Sequence, residues 1–260
     1  MSSLKPYLLF QLYGPMSAWG DIAVGESRVT TAVPGRSGLL GMLAAALGLK
    51  RSDENRLNAL SDSVRFAVLT LSSGHFMRDY HTVQVPPASA LKKRPGRTRR
   101  DELSVPKSEL GTILSARDYR SDAMHLAAVE ITGEGEYTLE IFQKALTQPI
   151  FPIYLGRKAC PPALPLQPHI VEAADVLDAF RNASFDDPVN WLTEIVPGGN
   201  IPELYQPPYP LSWEDGMESG VAPLKTATRR DQPRTRRRWQ FDERIEHQAM
   251  LDTLEADPCT

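Results

Sequence analysis

An α+β protein of the ferredoxin-like type is the fold the sequence predicts, and three observations predict it. Apolar runs of strand type and of helical type follow one another as strand, helix, strand and then strand, helix, return strand, the split βαβ order. A basic stretch almost without apolar residues separates the two halves. Ten prolines then crowd the 161–210 segment. The domain is therefore drawn over 1–83 and 118–160, with an arm inserted over 84–117 and an extension over 161–260 packing on the same domain.

The elements follow in order. YLLFQL (7–12) is a short, mostly apolar run with aromatic residues, broken only by Gln11, a buried first strand. YGPMSAWGD (13–21) has the Gly-Pro and Trp-Gly punctuation of a loop. Trp19 there is either a ring on which a base stacks or a lid on the core. PGRSGLLGMLAAALGLKR (34–51) reads as a turn delivering the chain into a helix that ends near Gly48, with Ser37 as N-cap. The free N–H groups at that tip, the helix dipole and Arg36 beside them suit a phosphate. Gly38 and Gly41 weaken a helix relative to Ala, so a backbone or a ligand approaches this face closely; a tightly packed core helix is the other reading. SDENRLNALS (52–61) carries a Ser or Asp cap, and VRFAVLTL (64–71) is the second strand.

MRDYHTVQV (77–85) continues in β-forming residues until Pro86 and Pro87 stop it. From there to about Lys107 the chain is Pro, Ser, Lys and Arg, an arm that protrudes and orders on a partner. SELGTILSARDY (108–119) leads back to the core, and AMHLAAVEIT (123–132) is the next strand. EYTLEIFQKAL (136–146) places Leu139, Phe142 and Leu146 at helical spacing before Pro149. Residues 151–156 supply the return strand. The Pro-rich, acidic remainder reads as extended, surface-hugging segments rather than a second packed domain. RRRWQFDERI (236–245) alternates as a late edge strand bearing Arg on one face, and the acidic last residues as a fraying helix or tail.

At 260 residues, 42% hydrophobic and 23% charged, the chain has the composition of a folded globular protein, and no apolar run approaches membrane-spanning length. The N-terminal MSSLKPYLLFQLYGP lacks a signal-peptide cleavage pattern, so a cytoplasmic protein is expected. Cys160 and Cys259 lie far apart with no CxxC or clustered His, which indicates neither a disulfide framework nor a zinc site.

Net charge is −3, but the charges are sorted. Residues 92–107 hold seven basic side chains (Lys92, Lys93, Arg94, Arg97, Arg99, Arg100, Lys107) against two acidic ones. Residues 225–238 hold seven more (Lys225, Arg229, Arg230, Arg234, Arg236, Arg237, Arg238) against Asp231 alone. Between 160 and 220 the balance reverses, with ten acidic residues and only Arg181 basic. Such sorting fits a polyanion partner at the two basic segments, or two solvated loops.

There is no GxxxxGK[ST], no GxGxxG after a strand, no HExxH and no GxSxG, so nucleotide hydrolysis, dinucleotide binding, zinc proteolysis and serine hydrolysis have no basis in the sequence. No metal and no cofactor is expected. Tyr80 and His81, after Arg78, are the one candidate acid–base pair for metal-free RNA cleavage. Adjacent strand residues point to opposite faces, which argues against their sharing a site. In YLGRKACP (154–161), Gly156 permits a tight turn that sets Arg157 and Lys158 beside Tyr154, a combination suited to holding a phosphate and stacking a base, or a plain turn with solvated charges.

Four segments in this order, LYGPMSAWG (12–20), PGRSGLLGMLAAALG (34–48), RDYHTV (78–83) and YLGRKACP (154–161), resemble the CasD subunits of type I-E CRISPR surveillance complexes (Cascade), members of the repeat-associated mysterious protein (RAMP) superfamily. Beyond Pro161 the likeness is confined to the Arg-Trp segment near Trp239. The resemblance implies an RNA-recognition-like ferredoxin fold with an inserted β-hairpin thumb at about 84–117. It implies a non-catalytic subunit that caps the backbone filament and grips the 5′ handle of the CRISPR RNA, with target DNA met indirectly. Partners implied are the repeating backbone subunit and the large PAM-reading subunit, with the small subunit and the repeat endonuclease in the same assembly. Type I-C relatives cut RNA themselves, which keeps a metal-independent endoribonuclease as the alternative. The RNA-binding residues expected are Trp19, Arg36, Ser37, Gly38, Tyr80, His81, Arg117, Tyr119, Tyr154, Gly156, Arg157 and Lys158.

Overall fold

The structure, a computed structural model, describes residues 4–21, 23, 25–93, 98–133, 135–186, 188–195, 198, 203–235 and 240–254. In chain order the elements are β1 (Lys5–Tyr13), β2 (Trp19–Gly20), β3 (Ser27–Arg28), β4 (Thr30–Thr31), α1 (Arg36–Ala46), α2 (Glu54–Asp62), β5 (Val64–Ser72), β6 (His75–Val85), α3 (Ala88–Lys93), α4 (Arg99–Glu102), β7 (Gly111–Ser121), β8 (Met124–Ile131), α5 (Leu139–Thr147), β9 (His169–Ala173), α6 (Val176–Arg181), α7 (Pro188–Ile195), β10 (Tyr209–Glu214), β11 (Lys225–Thr235) and β12 (Gln240–Leu251). They make a mixed α+β fold whose main sheet has the order β11-β12-β10-β5-β8-β1-β9 with every neighbour antiparallel. A second sheet, β3-β7-β6, stands apart from it, with β3 joining β7 in parallel.

β1 is apolar at nearly every position because both of its faces are covered. Alternate residues of a strand face opposite ways. Leu8, Phe10 and Leu12 enter a core with Leu39, Leu40 and Leu43 of α1 and Phe142 of α5. Tyr7, Leu9 and Tyr13 enter a second core with Val176 and Phe180 of α6. β5 and β8 divide in the same way, Phe66, Val68, Ala127 and Val129 against Leu69, Leu71, Met124 and Leu126. α5 buries Leu139, Phe142 and Leu146, the stripe its spacing predicts, and Thr138 caps it by accepting from the Ile141 N–H at 3.4 Å.

Three expectations are corrected. The strand beside β1 is β9, not 151–156. Pro152 has no N–H to offer a ladder, and Gly156 at φ +86° turns the chain so that the Leu155 N–H donates to the Cys160 carbonyl at 2.7 Å. The segment after 161 does not hug the surface. It supplies four strands of the main sheet, and Val176, Phe180, Leu204 and Trp213 build the core on the face away from α1. The late strand β12 lies inside the sheet and β11 is the edge, a place that tolerates Pro233 and the charged Lys225, Arg229, Arg230 and Arg234. Arg236 to Trp239 of the expected late strand, Arg94 and Arg97 of the arm, and tail residues 255–260 lie outside the described residues.

β6 and β7 form a regular two-stranded ribbon from the His75–Ser121 pair to the Val85–Gly111 pair, so it begins and ends outside the 84–117 limits drawn from composition. The β-forming residues 75–83 pair across the ribbon rather than into the main sheet. Its far end carries α3 and α4, the latter closed by a capping box between Thr98 and Asp101. Among the described residues no helix is long and apolar enough to cross a membrane.

Candidate nucleic-acid interface

The loop after β1 ties three parts of the molecule together. Ser17 exchanges backbone hydrogen bonds with Arg120 of β7, at 2.7 and 2.8 Å. The Ala18 N–H donates to the Leu155 carbonyl at 3.0 Å. Trp19 lies on α1 at Gly38, where an added Cβ would meet the indole at 3.3 Å. Between these parts opens a cleft of about 300 Å³ lined by Trp19, Gly20, Ser37, Gly38, Tyr154 and Gly156, with Met42, Pro152 and Phe241 as apolar wall. Six residues singled out in the sequence, Trp19, Ser37, Gly38, Gly41, Tyr154 and Gly156, from three separate motifs, therefore share one cleft. Among the described residues its lining carries no charged side chain.

The cations expected there turn inward. Arg36 is 5% exposed, and its guanidinium is bonded to the Glu214 carboxylate, the Val64 carbonyl at 3.2 Å and the Ser61 carbonyl at 2.5 Å. The anion at the helix tip is the chain's own: Asp231 Oδ2 accepts from the Arg36 N–H at 2.7 Å. The helix N-cap is Gly35, not Ser37, which sits one residue inside α1 and faces the cleft. Arg157 donates to the carbonyls of Asp118 at 3.0 Å and Arg28 at 2.7 Å, and its guanidinium lies 4.8 Å from the Tyr119 ring centroid. Tyr119 is buried beneath it. Trp19, 2% exposed, shapes the cleft from inside rather than offering an open ring. The carbonyls of Ser61, Val64, Asp118 and Arg28 and the Glu214 carboxylate at the end of β10 hold these two cations within the protein.

The ribbon holds the remaining candidates. Its register sets Arg78, Tyr80 and Asp118 on one face and Asp79, His81, Arg117 and Tyr119 on the other. Tyr80 and His81 thus point apart, as their adjacency predicts. His81 Nε2 lies 2.5 Å from Asp79 Oδ2. Arg78 grips Asp118 through Nε at 2.7 Å and Nη2 at 3.0 Å, which holds the Asp118 carboxyl below the usual carboxylate range. Lys158 is exposed beside the Gly156 turn.

Sequence reasoning missed Glu214, Asp231 and Arg244. Arg244 donates to Asp231 at 2.6 and 3.0 Å and to Glu246 at 2.7 Å, so an ion-pair network joins α1 to β10, β11 and β12. Burial pushes the Glu214 carboxyl up, against the pull of Arg36 and Arg244. The isolated acid Asp231 within the second basic run was the one available signal. Phe241 was missed for want of any.

His125 was also missed. It lies behind Trp19, ring centroids 6.3 Å apart, with Nδ1 3.0 Å from the Thr70 hydroxyl. Burial, then the Arg120 charge, push its pKa from 6.5 down to about 3. The unfolded chain takes up a proton below pH 6.5 that the folded chain refuses, so stability present above 6.5 is lost as pH falls. A loss approaching about 1.4 kcal/mol per pH unit is expected below pH 6. Urea melts at pH 7, 6 and 5 check it, and His125→Leu flattens the dependence.

Fold and site first define a class: an antiparallel α+β protein with a projecting ribbon and a neutral cleft at the start of its first helix, without a His, Cys, Asp or Glu cluster fit for a metal among the described residues. A family model described as CRISPR-associated protein (Cas_Cas5) matches residues 7–245. The CRISPR system Cascade subunit CasD of Escherichia coli (strain K12) is 36% identical over 187 residues, 69% of this chain and 77% of that protein. Among solved structures, a chain of a CRISPR RNA-guided surveillance complex superposes with a TM-score of 0.59 at 27% identity, over 95% of this chain and 90% of that one. A structure described as a Cas protein shares the fold, with a TM-score of 0.56 at 22% identity over 97% and 99%. The chain belongs to the Cas5 family of CRISPR-associated proteins.

Proposed function

We propose that the chain is a non-catalytic CRISPR RNA-binding subunit of a type I-E Cascade complex, capping the backbone filament and gripping the 5′ handle of the guide. In this reading β5-β8-β1-β9 with α1 and α5 is a ferredoxin-like, RNA-recognition-like core, the β6–β7 ribbon is the thumb, and the part after 161 is an extension of the same domain. The observation that carries it is the cleft, which gathers Trp19, Ser37, Gly38, Tyr154 and Gly156 at the foot of the ribbon in a member of the Cas5 family. A neutral cleft takes a splayed base or ribose, while Lys158 and Arg117 meet phosphates beside it and the basic far end of the ribbon meets the strand farther along. Tyr80 and His81 meet the strand along the ribbon. Trp19, Arg36, Tyr119 and Arg157 hold the walls. The backbone and PAM-reading subunits are direct neighbours in the assembly, the small subunit and repeat endonuclease belong to it, and target DNA is read by guide pairing. The protein works in the cytoplasm and uses no cofactor.

The test is handle-RNA affinity against salt for the assembled complex. Lys158→Ala is expected to lower the slope by about 0.7, one single-strand phosphate contact, whereas Arg36 and Arg157 variants that remain folded leave it unchanged. Ser37→Trp fills the cleft and weakens binding at least about tenfold, the weight of one stacked base. A flat salt response sinks the reading. Asp79 beside His81 is the observation on the side of an endoribonuclease; cleavage of repeat RNA in chelator, abolished by His81→Ala, would establish that alternative instead.

A further inference from the structure

Among the described residues the two larger sheets end on four edge strands. β11 is interrupted by two register shifts and carries Pro233, devices that keep an edge from pairing, and β9 and β3 are short, at five and two residues. β6 is different: its eleven residues pair with β7 without a shift, and none of them is proline. The direction of its free backbone groups follows from β7. The Ala116 N–H donates to the Glu26 carbonyl at 3.1 Å, and Arg120 exchanges hydrogen bonds with Ser17, so both spend their backbone groups away from β6. Their ladder partners, Tyr80 and Phe76, therefore stand at non-hydrogen-bonded positions, and with Arg78, Thr82 and Gln84 they turn N–H and C=O to the open side. Arg99 takes the Gln84 carbonyl; among the described residues nothing takes the backbone groups of the other four on that side.

We infer that this edge joins two copies of the free chain, β6 to β6 and antiparallel about a two-fold axis at Tyr80, so that two ribbons become one sheet. Unpaired donors and acceptors at every second residue are a template for another strand, and in this register β6 is complementary to itself. On one face Tyr80 meets Tyr80 and Arg78 meets Thr82. On the other, Asp79 meets His81 of the second copy twice over, and the exposed Met77 meets the exposed Val83. The pairs of this second face are the non-hydrogen-bonded ones of the new ladder, where side chains lie closest. A register moved by one residue either way sets Asp79 against Asp79 or His81 against His81, which loses the match of acid with imidazole. Charge complementarity therefore selects a second copy as the occupant. The pairing covers the ribbon edge beside Tyr80 and His81, so it belongs to the chain outside the assembly, and it needs nothing from the RNA reading.

Sedimentation velocity of the full chain over a concentration series is expected to show a reversible dimer. Asp79→Lys and His81→Glu each spoil both equivalent pairs and are expected to weaken dimerisation about tenfold. An equimolar mixture of the two variants restores it, because the new lysine of one chain meets the new glutamate of the other, whereas a defect inside each strand survives mixing. Thr82→Pro removes an outward N–H without touching the β7 ladder, and is expected to leave the melting temperature unchanged and the chain monomeric. A chain that stays monomeric at every concentration overturns the inference, as does a dimer that Thr82→Pro leaves intact or a mixture no more dimeric than its components. A monomeric chain whose Thr82→Pro variant is lost from the assembled complex gives the edge to a strand of another subunit, which also overturns it. The salt slope of handle-RNA binding is read on the assembled complex, so the proposed function is tested apart from each of these outcomes.

Discussion

Gly156→Ala is expected to destabilise the fold by about 3 kcal/mol or more. Gly156 has φ +86°, where a Cβ costs about 1–2 kcal/mol in backbone strain. The added Cβ would also stand 2.0 Å from the Ala18 carbonyl oxygen and 2.7 Å from its carbon. Backbone cannot rotate aside as a side chain does, so the 154–157 turn and the 17–19 loop must separate, adding about 1–3 kcal/mol of the kind seen on overpacking. Separation breaks the Ala18–Leu155 hydrogen bond and lifts Trp19 from Gly38. For a chain of this length the total corresponds to a fall in Tm of about 6–12 °C. RNA affinity is expected to fall in the surviving folded fraction as well, because the same separation opens the cleft. A thermal melt beside an RNA titration checks both, and a Tm within a degree of the unaltered protein would show that the turn does not need glycine.

Arg36→Met carries the second large effect, about 3–5 kcal/mol of lost stability. The substitution removes the guanidinium that faces Glu214 and leaves that carboxylate buried with Oε1 already lacking a partner. Two backbone carbonyls, of Val64 and Ser61, lose their donor too. Arg36→Met combined with Glu214→Leu removes both charges and is expected to recover most of the loss, since an apolar pair of similar volume avoids the unpaired charge. Chemical denaturation of the two single variants and the double one gives the coupling. If Arg36 instead bound phosphate, Arg36→Met would leave stability near its starting value and lower the salt slope of RNA binding.

Local pattern made much of the fold readable. The apolar run at 7–12 identified a buried strand, which the structure covers on both faces, and Leu139, Phe142 and Leu146 identified the buried side of α5, because side-chain periodicity is a property of the backbone alone. Adjacency told in advance that Tyr80 and His81 face apart. Trp19, Gly38, Tyr154 and Gly156 were legible as residues at turns or close approaches, whereas the N-cap role read for Ser37 belongs to Gly35; these four and Ser37 come around one cleft only through long-range folding.

Periodicity and turn chemistry settled β1, α1, β5, β8 and α5, since those depend on neighbours a few residues away, but they misread 151–156 and left β9, α6, α7 and β10 unread. The partner each charge takes was settled by folding over long distances in sequence. Arg36 meets Glu214 and Asp231 from the far end of the chain, Arg157 meets the carbonyl of Arg28, and β9 rather than 151–156 completes the edge beside β1. A basic residue next to a helix start looks the same in sequence whether it faces solvent or a buried carboxylate. The difference is a desolvation energy, and it exists only once the rest of the chain has closed around the group.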